Sequence, residues 1–236
     1  MAGRQPTITA RGGILPFFTY RLTGRRLCFR GRVSAAGSLV KRSFDEGRNP
    51  LPALHGLVLT GGASTRMGED KALLDAGGEP QLQATLRLLR KHVQPCFVSL
   101  RAGQATEPLR AGLRQIVDGR EGVGPAAGLL AAHAAYPRAA WLVVACDLPL
   151  LNDAALAVLI RARDGRHAAI GYRSGHDDLP EPLCTLWEPA ALDRLEQQVR
   201  AGRNGLRDTL LQVDLLLLPV PSDGALDNAN TPQERE

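Results

Sequence analysis

No stretch of the 236 residues reaches the roughly 18 consecutive apolar positions that a membrane-crossing helix needs, so the chain is expected to be soluble and cytoplasmic, with no membrane partner. Cysteine is sparse and scattered. Cys28, Cys96, Cys146 and Cys184 form no CxxC pair and no Cys/His cluster, which argues against a zinc site and a disulfide framework and leaves reduced thiols as the expectation. Cys146 ends a predicted buried strand, where a catalytic thiol is conceivable but a small core hydrophobe is favoured. Acidic residues are almost missing from the first fifty positions, where ten Lys or Arg face only Asp45 and Glu46. That stretch carries +8 against a total of +5, leaving the other 186 residues at −3. A basic, nucleic-acid-binding body is therefore not expected, and any polyanion affinity would have to reside in the tail. Two familiar phosphate-binding fingerprints, GxxxxGK[ST] and GxGxxG, are also absent.

Residues 1–50 lack sustained periodicity and are broken by Gly12, Gly13, Pro16, Gly24, Gly31 and Gly37, which reads as a basic, flexible N-terminal extension. A targeting segment and an upstream-translated region are the competing readings. Neither a compact apolar run nor a small-residue cleavage site supports a secretory signal, and a flexible tail or translated leader ranks above targeting. Residues 54–236 read as one domain with enough apolar content for a single core. From Leu57 onward, short apolar runs alternate with helical stretches, the α/β pattern of a mostly parallel sheet covered by helices on both faces. The expected strands are 57–59, 96–100, 115–117, 141–145, 168–172, 183–187 and 215–218. Helices are expected over 81–91, 126–135, 153–163 and 190–201, with Asn152 as an N-cap.

What the chain does contain is GLVLTGGASTRMGEDK, from Gly56 to Lys71. An apolar strand delivers its end to a tight loop, and Gly61 and Gly62, lacking a Cβ, let the backbone approach phosphate oxygens. Arg66 brings a planar fork and Lys71 a movable point charge, both suited to a triphosphate. A strand followed by a surface turn with two exposed cations is the plainer alternative. Ligands of open parallel sheets bind where the loops after the strands converge. Chemistry-bearing residues do follow the strands: TGG the first, Asp118 the third, and Asp147, in WLVVACDLPL, the fourth. Taken singly, Asp118 and Asp147 could also be ordinary turn or capping residues. Beside a triphosphate loop, Asp147 becomes the expected Mg²⁺ ligand, since magnesium is held by one or two carboxylates together with water and phosphate oxygens.

Across LTGGASTRMGEDK, RQIVDG, GPAAG (Gly124–Gly128), CDLP and DNANTPQ, the chain resembles the molybdenum cofactor nucleotidyltransferases, and GG, the Asp70–Lys71 pair and GPAAG favour the guanylyl-transferring members. The resemblance spans Gly56 to Glu236. It implies a single Rossmann-like nucleotidyltransferase domain that moves GMP from GTP to molybdenum-bearing molybdopterin and releases pyrophosphate. It further implies a nucleotide site of Leu59, Thr60, Gly61, Gly62, Arg66, Lys71, Ser99, Asp118 and Asp147. Within it, backbone N–H groups of Thr60–Gly62 with Arg66 and Lys71 would hold the leaving pyrophosphate, Asp147 the metal, and Asp118 the guanine N1–H and 2-amino group. Thr60 stands where Ala is usual and would place a hydroxyl near the ribose. Arg203 and Arg207, in GRNGLRD, and Asn228 and Asn230 are candidates for the second substrate, with solvated helix-end arginines and an Asx turn as the plainer readings. A monomer in transient contact with molybdoenzymes or cofactor-handling proteins is expected. Three rivals remain open at this point: cytidylyl transfer to the same acceptor, another nucleotidyltransferase of this fold, and a non-catalytic GTP- and cofactor-binding chaperone.

Overall fold

The structure is a computed structural model; it describes residues 50–60, 72–219 and 225–226, and the backbone of residues 17–22, 25–30 and Lys71. The chain divides into two compact units, Met1–Pro50 and Leu51–Glu236. In the first, β1 (Phe17–Leu22) and β2 (Arg25–Arg30) pair antiparallel with Phe17 opposite Arg30 and Leu22 opposite Arg25. The sequence reading of this stretch did not include that hairpin.

The second unit alternates strand and helix: β3 (Leu54–Leu59), α1 (Gln81–Arg90), β4 (Cys96–Arg101), α2 (Pro108–Ala111), β5 (Gln115–Asp118), α3 (Pro125–Ala135), β6 (Ala140–Ala145), α4 (Asp153–Arg161), β7 (Ala169–Arg173), β8 (Pro180–Trp187), α5 (Pro189–Arg200), α6 (Leu206–Leu210) and β9 (Leu215–Leu218). All the strands and helices expected from the sequence between Leu57 and Leu218 are present, with ends displaced by at most three residues. The short helices α2 and α6 are additions.

Seven strands form one sheet in the order β5-β4-β3-β6-β8-β7-β9. β3 pairs parallel with β4 and β6, β4 with β5, and β7 with β9, whereas β8 runs antiparallel to both β6 and β7. The reversal follows from the connection: only residues 174–179 separate β7 from β8, and a parallel crossover needs a dozen residues or more. One face of the sheet packs Val58, Val98, Leu142 and Val144 against Leu82, Leu86 and Leu89 of α1 and Leu156 and Leu159 of α4. Its other face packs Leu57, Phe97, Trp141 and Val143 against Leu129 and Leu130 of α3, Leu192 and Leu195 of α5 and Leu206 and Leu210 of α6. Alternate residues of β3 and β6 thus feed opposite layers, and strands buried on both faces read as continuous apolar runs. Trp141 and Trp187 face each other across β6 and β8, both fully buried.

Local signals agree with this packing. Asn152 accepts the Ala155 N–H at 3.0 Å and caps α4, an interaction worth about 1 kcal/mol. Pro125 and Pro189 open α3 and α5, where a missing N–H costs nothing. Cys96, Cys146 and Cys184 are buried thiols outside any disulfide, and Cys146 belongs to the core as a small hydrophobe. Among the described residues no helix is long and apolar enough to cross a membrane.

Candidate active site

The carboxyl ends of β4, β3 and β6 finish level with one another, Leu59 being in register with Ser99 on one side and Ala145 on the other. The last rung is doubly fastened. Thr60 N–H donates to the Ser99 carbonyl at 3.3 Å and the Thr60 hydroxyl donates to the same oxygen at 2.6 Å, while Cys146 N–H donates to Leu59 O at 3.1 Å. Thr60 is buried, and its hydroxyl is engaged at the β3–β4 junction. Its amide is likewise engaged with β4. Gly61, Gly62 and Arg66 lie outside the described residues, and the backbone of Lys71 opens a short 3₁₀ turn, Lys71–Leu73.

Ser99 takes part through its backbone and its packing; its side chain is 2% exposed and lies against α3. A Cβ built on Gly128 would meet Ser99 Oγ at 2.2 Å, Ser99 Cβ at 3.0 Å and Leu59 Cδ2 at 3.1 Å. The GPAAG segment is therefore explained position by position. Gly124 has φ +65°, Pro125 starts the helix, Ala126 and Ala127 are buried, and Gly128 lets α3 press onto the ends of β3 and β4.

Two carboxylates flank this junction. Asp118 ends β5, in register with Arg101 of β4, and is half-buried. Burial pushes its carboxyl above the usual aspartate value, and the neighbouring Arg101 cation pulls it back. Asp147 follows β6, three strand positions away. At ordinary strand spacing the two lie about 14 Å apart.

Asp147 has a neighbour that sequence reasoning missed. The β6–β8 register pairs Val144 with Cys184, and continued by three residues on each strand it sets Asp147 opposite Glu181. Glu181 is 9% exposed, and one of its oxygens accepts the Leu183 N–H at 3.1 Å. Burial raises its pKa, with the Asp177 and Asp147 charges acting in the same sense and Arg207 opposing. A polar residue at the head of an otherwise apolar strand, PEPLCTLW, was the available signal.

Arg207, on α6, donates from Nη1 to Asp177 at 2.7 Å and from Nε to the Pro180 carbonyl at 2.9 Å, so it clasps the β7–β8 turn beside Glu181. Arg203 is exposed and donates to the Gln198 side chain. Its neighbour Asn204 ties the same loop to the Gly122 carbonyl at 3.1 Å, in the segment between Asp118 and α3. Arg203 thus lies in the loop before α6 and Arg207 in the first turn of that helix. Asn228 and Asn230 lie outside the described residues. Among the described residues no group of three or more His, Cys, Asp or Glu is arranged to hold a metal.

Residues 56–215 match the model of the MobA-like NTP transferase domain. A molybdenum cofactor guanylyltransferase of Pseudomonas putida is 33% identical over 187 residues, which cover 78% of this chain and 96% of that protein. A molybdenum cofactor biosynthesis bifunctional protein of Synechocystis is 35% identical over 181 residues, 77% of this chain, and the chain spans about half (52%) of its length. Among solved structures, molybdopterin-guanine dinucleotide biosynthesis protein A from Archaeoglobus fulgidus superposes with a TM-score of 0.64 at 24% identity, covering 76% of this chain and 94% of that one; at that identity the likeness speaks for the fold.

Proposed function

The chain belongs to the family of MobA-like NTP transferases, and from that membership we propose that it transfers GMP from GTP to the terminal phosphate of molybdenum-bearing molybdopterin, releasing pyrophosphate. The observation that carries this reading is the identity shared with a molybdenum cofactor guanylyltransferase over nearly its whole length. In the reaction, an acceptor phosphate oxygen bonds to the α-phosphorus of GTP while the bond from that phosphorus to the oxygen bridging to the β-phosphorus breaks. The nucleophile is already anionic, so no general base is required, and the protein's contribution is alignment and charge neutralisation.

Asp147 fits a magnesium ion. It is a hard oxygen donor, partly exposed at the strand ends beside the buried Glu181, and magnesium asks for only one or two carboxylates. When bound, the ion would neutralise phosphate charge that builds up as pyrophosphate departs. Lys71 and Arg66 would neutralise the rest of the leaving group, and the Gly61 and Gly62 amides would bond its oxygens. Asp118 would accept the guanine N1–H and 2-amino hydrogens, a pair of donors that neither cytosine nor adenine presents on that edge. Arg207, fixed by Asp177 beside Glu181, would meet the acceptor's phosphate.

A competition assay tests the reading. Purified protein given Mg²⁺, the molybdenum-bearing acceptor and equal GTP and CTP should release pyrophosphate with GMP incorporated. Preferred CMP incorporation would move the chain to the cytidylyl branch. GTP binding without pyrophosphate would make it a binding protein.

A further inference from the structure

Phe97 and Ser99 of β4, and Ile116 of β5, face the layer formed by α3. Side chains alternate along a strand, so Arg101 and Asp118, two residues further on, return to that same face. They are also the last register pair of the β4–β5 ladder and stand side by side at its mouth, below the start of α3. The turn after β4 is held in place by the Gln104 side chain, which accepts the Arg101 N–H at 3.1 Å. The Arg101 side chain is exposed and close enough to act on the Asp118 charge, and among the described residues it forms no ion pair, with Asp118 or with another carboxylate. Of the other charges on the neighbouring turns, Glu107 is engaged with Arg110 and Arg120 with Glu196, and Glu121 is exposed to solvent.

The chemistry of guanine gives this pair a use. Its Watson–Crick edge presents, in order, the 2-amino donor, the N1–H donor and the O6 acceptor. A carboxylate satisfies the two donors and can do nothing for O6. An adjacent guanidinium supplies the missing donor and would confront the amino group that adenine carries at the same place. We propose that Arg101 is a base-specificity residue, donating a hydrogen bond to guanine O6 while Asp118 accepts from N1–H and the 2-amino group. The cation also favours the ionised form of Asp118 against the burial that opposes it. The inference rests on the reading of Asp118 as the guanine acceptor.

The test uses the full chain, with GTP and 6-thio-GTP, whose sulfur is a poor acceptor in the place of O6. Wild type should favour GTP over 6-thio-GTP by about tenfold in Kd and in kcat/KM, the lower end of what one such contact discriminates. Arg101→Met should lose that preference: KM for GTP rises about tenfold, kcat at saturation stays near wild type, and 6-thio-GTP binding barely changes. Arg101→Lys, which keeps a donor, should restore part of the preference. An equal loss for both nucleotides, or no loss for either, would overturn the proposal. Asp118→Asn separates the two levels: if it leaves GTP binding unchanged, the reading of Asp118 fails and takes this inference with it, whereas weakened GTP binding beside an unaltered Arg101→Met removes only the role of Arg101.

Discussion

Gly128→Ala is the most exacting perturbation of this site that leaves every charge in place. In the interior of a free helix the change is favourable, worth about 0.8–1 kcal/mol from reduced chain entropy. Here the new methyl would lie 2.2 Å from Ser99 Oγ, 3.0 Å from Ser99 Cβ and 3.1 Å from Leu59 Cδ2. Rotating the serine hydroxyl relieves the first contact only. Ser99 Cβ is bonded to the β4 backbone and cannot rotate away, and the Leu59 Cδ2 methyl is held in the core, so α3 has to withdraw by a few tenths of an ångström, and overpacking of this kind costs about 1–3 kcal/mol. The net expectation is a loss of about 0–2 kcal/mol, read as a fall of up to about 8 °C in Tm for a chain of this size. Because the helix that moves begins at the GPAAG segment, affinity for GTP should fall as well. Ser99→Ala combined with Gly128→Ala should recover part of the stability, giving a coupling energy of about 0.5–1.5 kcal/mol in a double-mutant cycle followed by urea denaturation. A Gly128→Ala protein more stable than wild type would refute the close approach of α3 to the β3–β4 junction.

Other expectations follow from single contacts. Asp147→Ala and Lys71→Ala should leave circular dichroism and melting unchanged while lowering turnover by about 10²–10³, measured as pyrophosphate release; near-wild-type rates in either would contradict the assignment. Arg163 donates to both oxygens of Glu188, at 2.6 and 3.0 Å, and to the Pro52 carbonyl at 2.7 Å, with both side chains 9% exposed. Arg163→Met strands a buried carboxylate and should cost about 3–5 kcal/mol, a loss that Glu188→Gln in the same chain partly repairs; an additive pair of effects would deny the ion pair. Asp164 accepts the Arg166 N–H and lies beside His167, which holds its pKa at about 2 against an ordinary 3.8. Its folded pKa is depressed, so its stabilising contribution is present above about pH 4 and fades as pH falls towards 2. Asp164→Asn should flatten the stability profile in that interval and lower the plateau above it, neutral pH included.

The sheet was largely legible in the sequence because its strands are buried on both faces, and runs such as WLVVA and CFVSL admit no amphipathic helix. Strand direction is not written in such runs. For β8 the clue lay in the length of the 174–179 connection rather than in the strand itself. The ends of the parallel strands were found because Gly, Asp and Pro interrupt apolar runs there. What those residues touch was less accessible. Ser99 carries a hydroxyl suited to a ligand, but the missing Cβ of Gly128 draws it under α3. Thr60 bonds across to a carbonyl 39 residues away. Glu181 comes to Asp147 only because β8 returns antiparallel, a relation that no local spacing encodes. The short helices α2 and α6 are four and five residues long, too brief for periodicity to register.

The reversal of β8 has a bearing on how such a protein changes over time. Six residues between β7 and β8 reach the rim formed by β3 to β6, yet they belong to a part of the chain that contributes nothing to the β3–β6 ladder. On the roles proposed above, donor recognition and acceptor recognition would be inherited on separate stretches of gene. Rewriting the hairpin tip, with its Asp177–Arg207 clasp, would be expected to retune which phosphate accepts the nucleotidyl group while leaving the choice of nucleotide alone, and a chimera exchanging residues 174–181 would reveal whether the two properties part company.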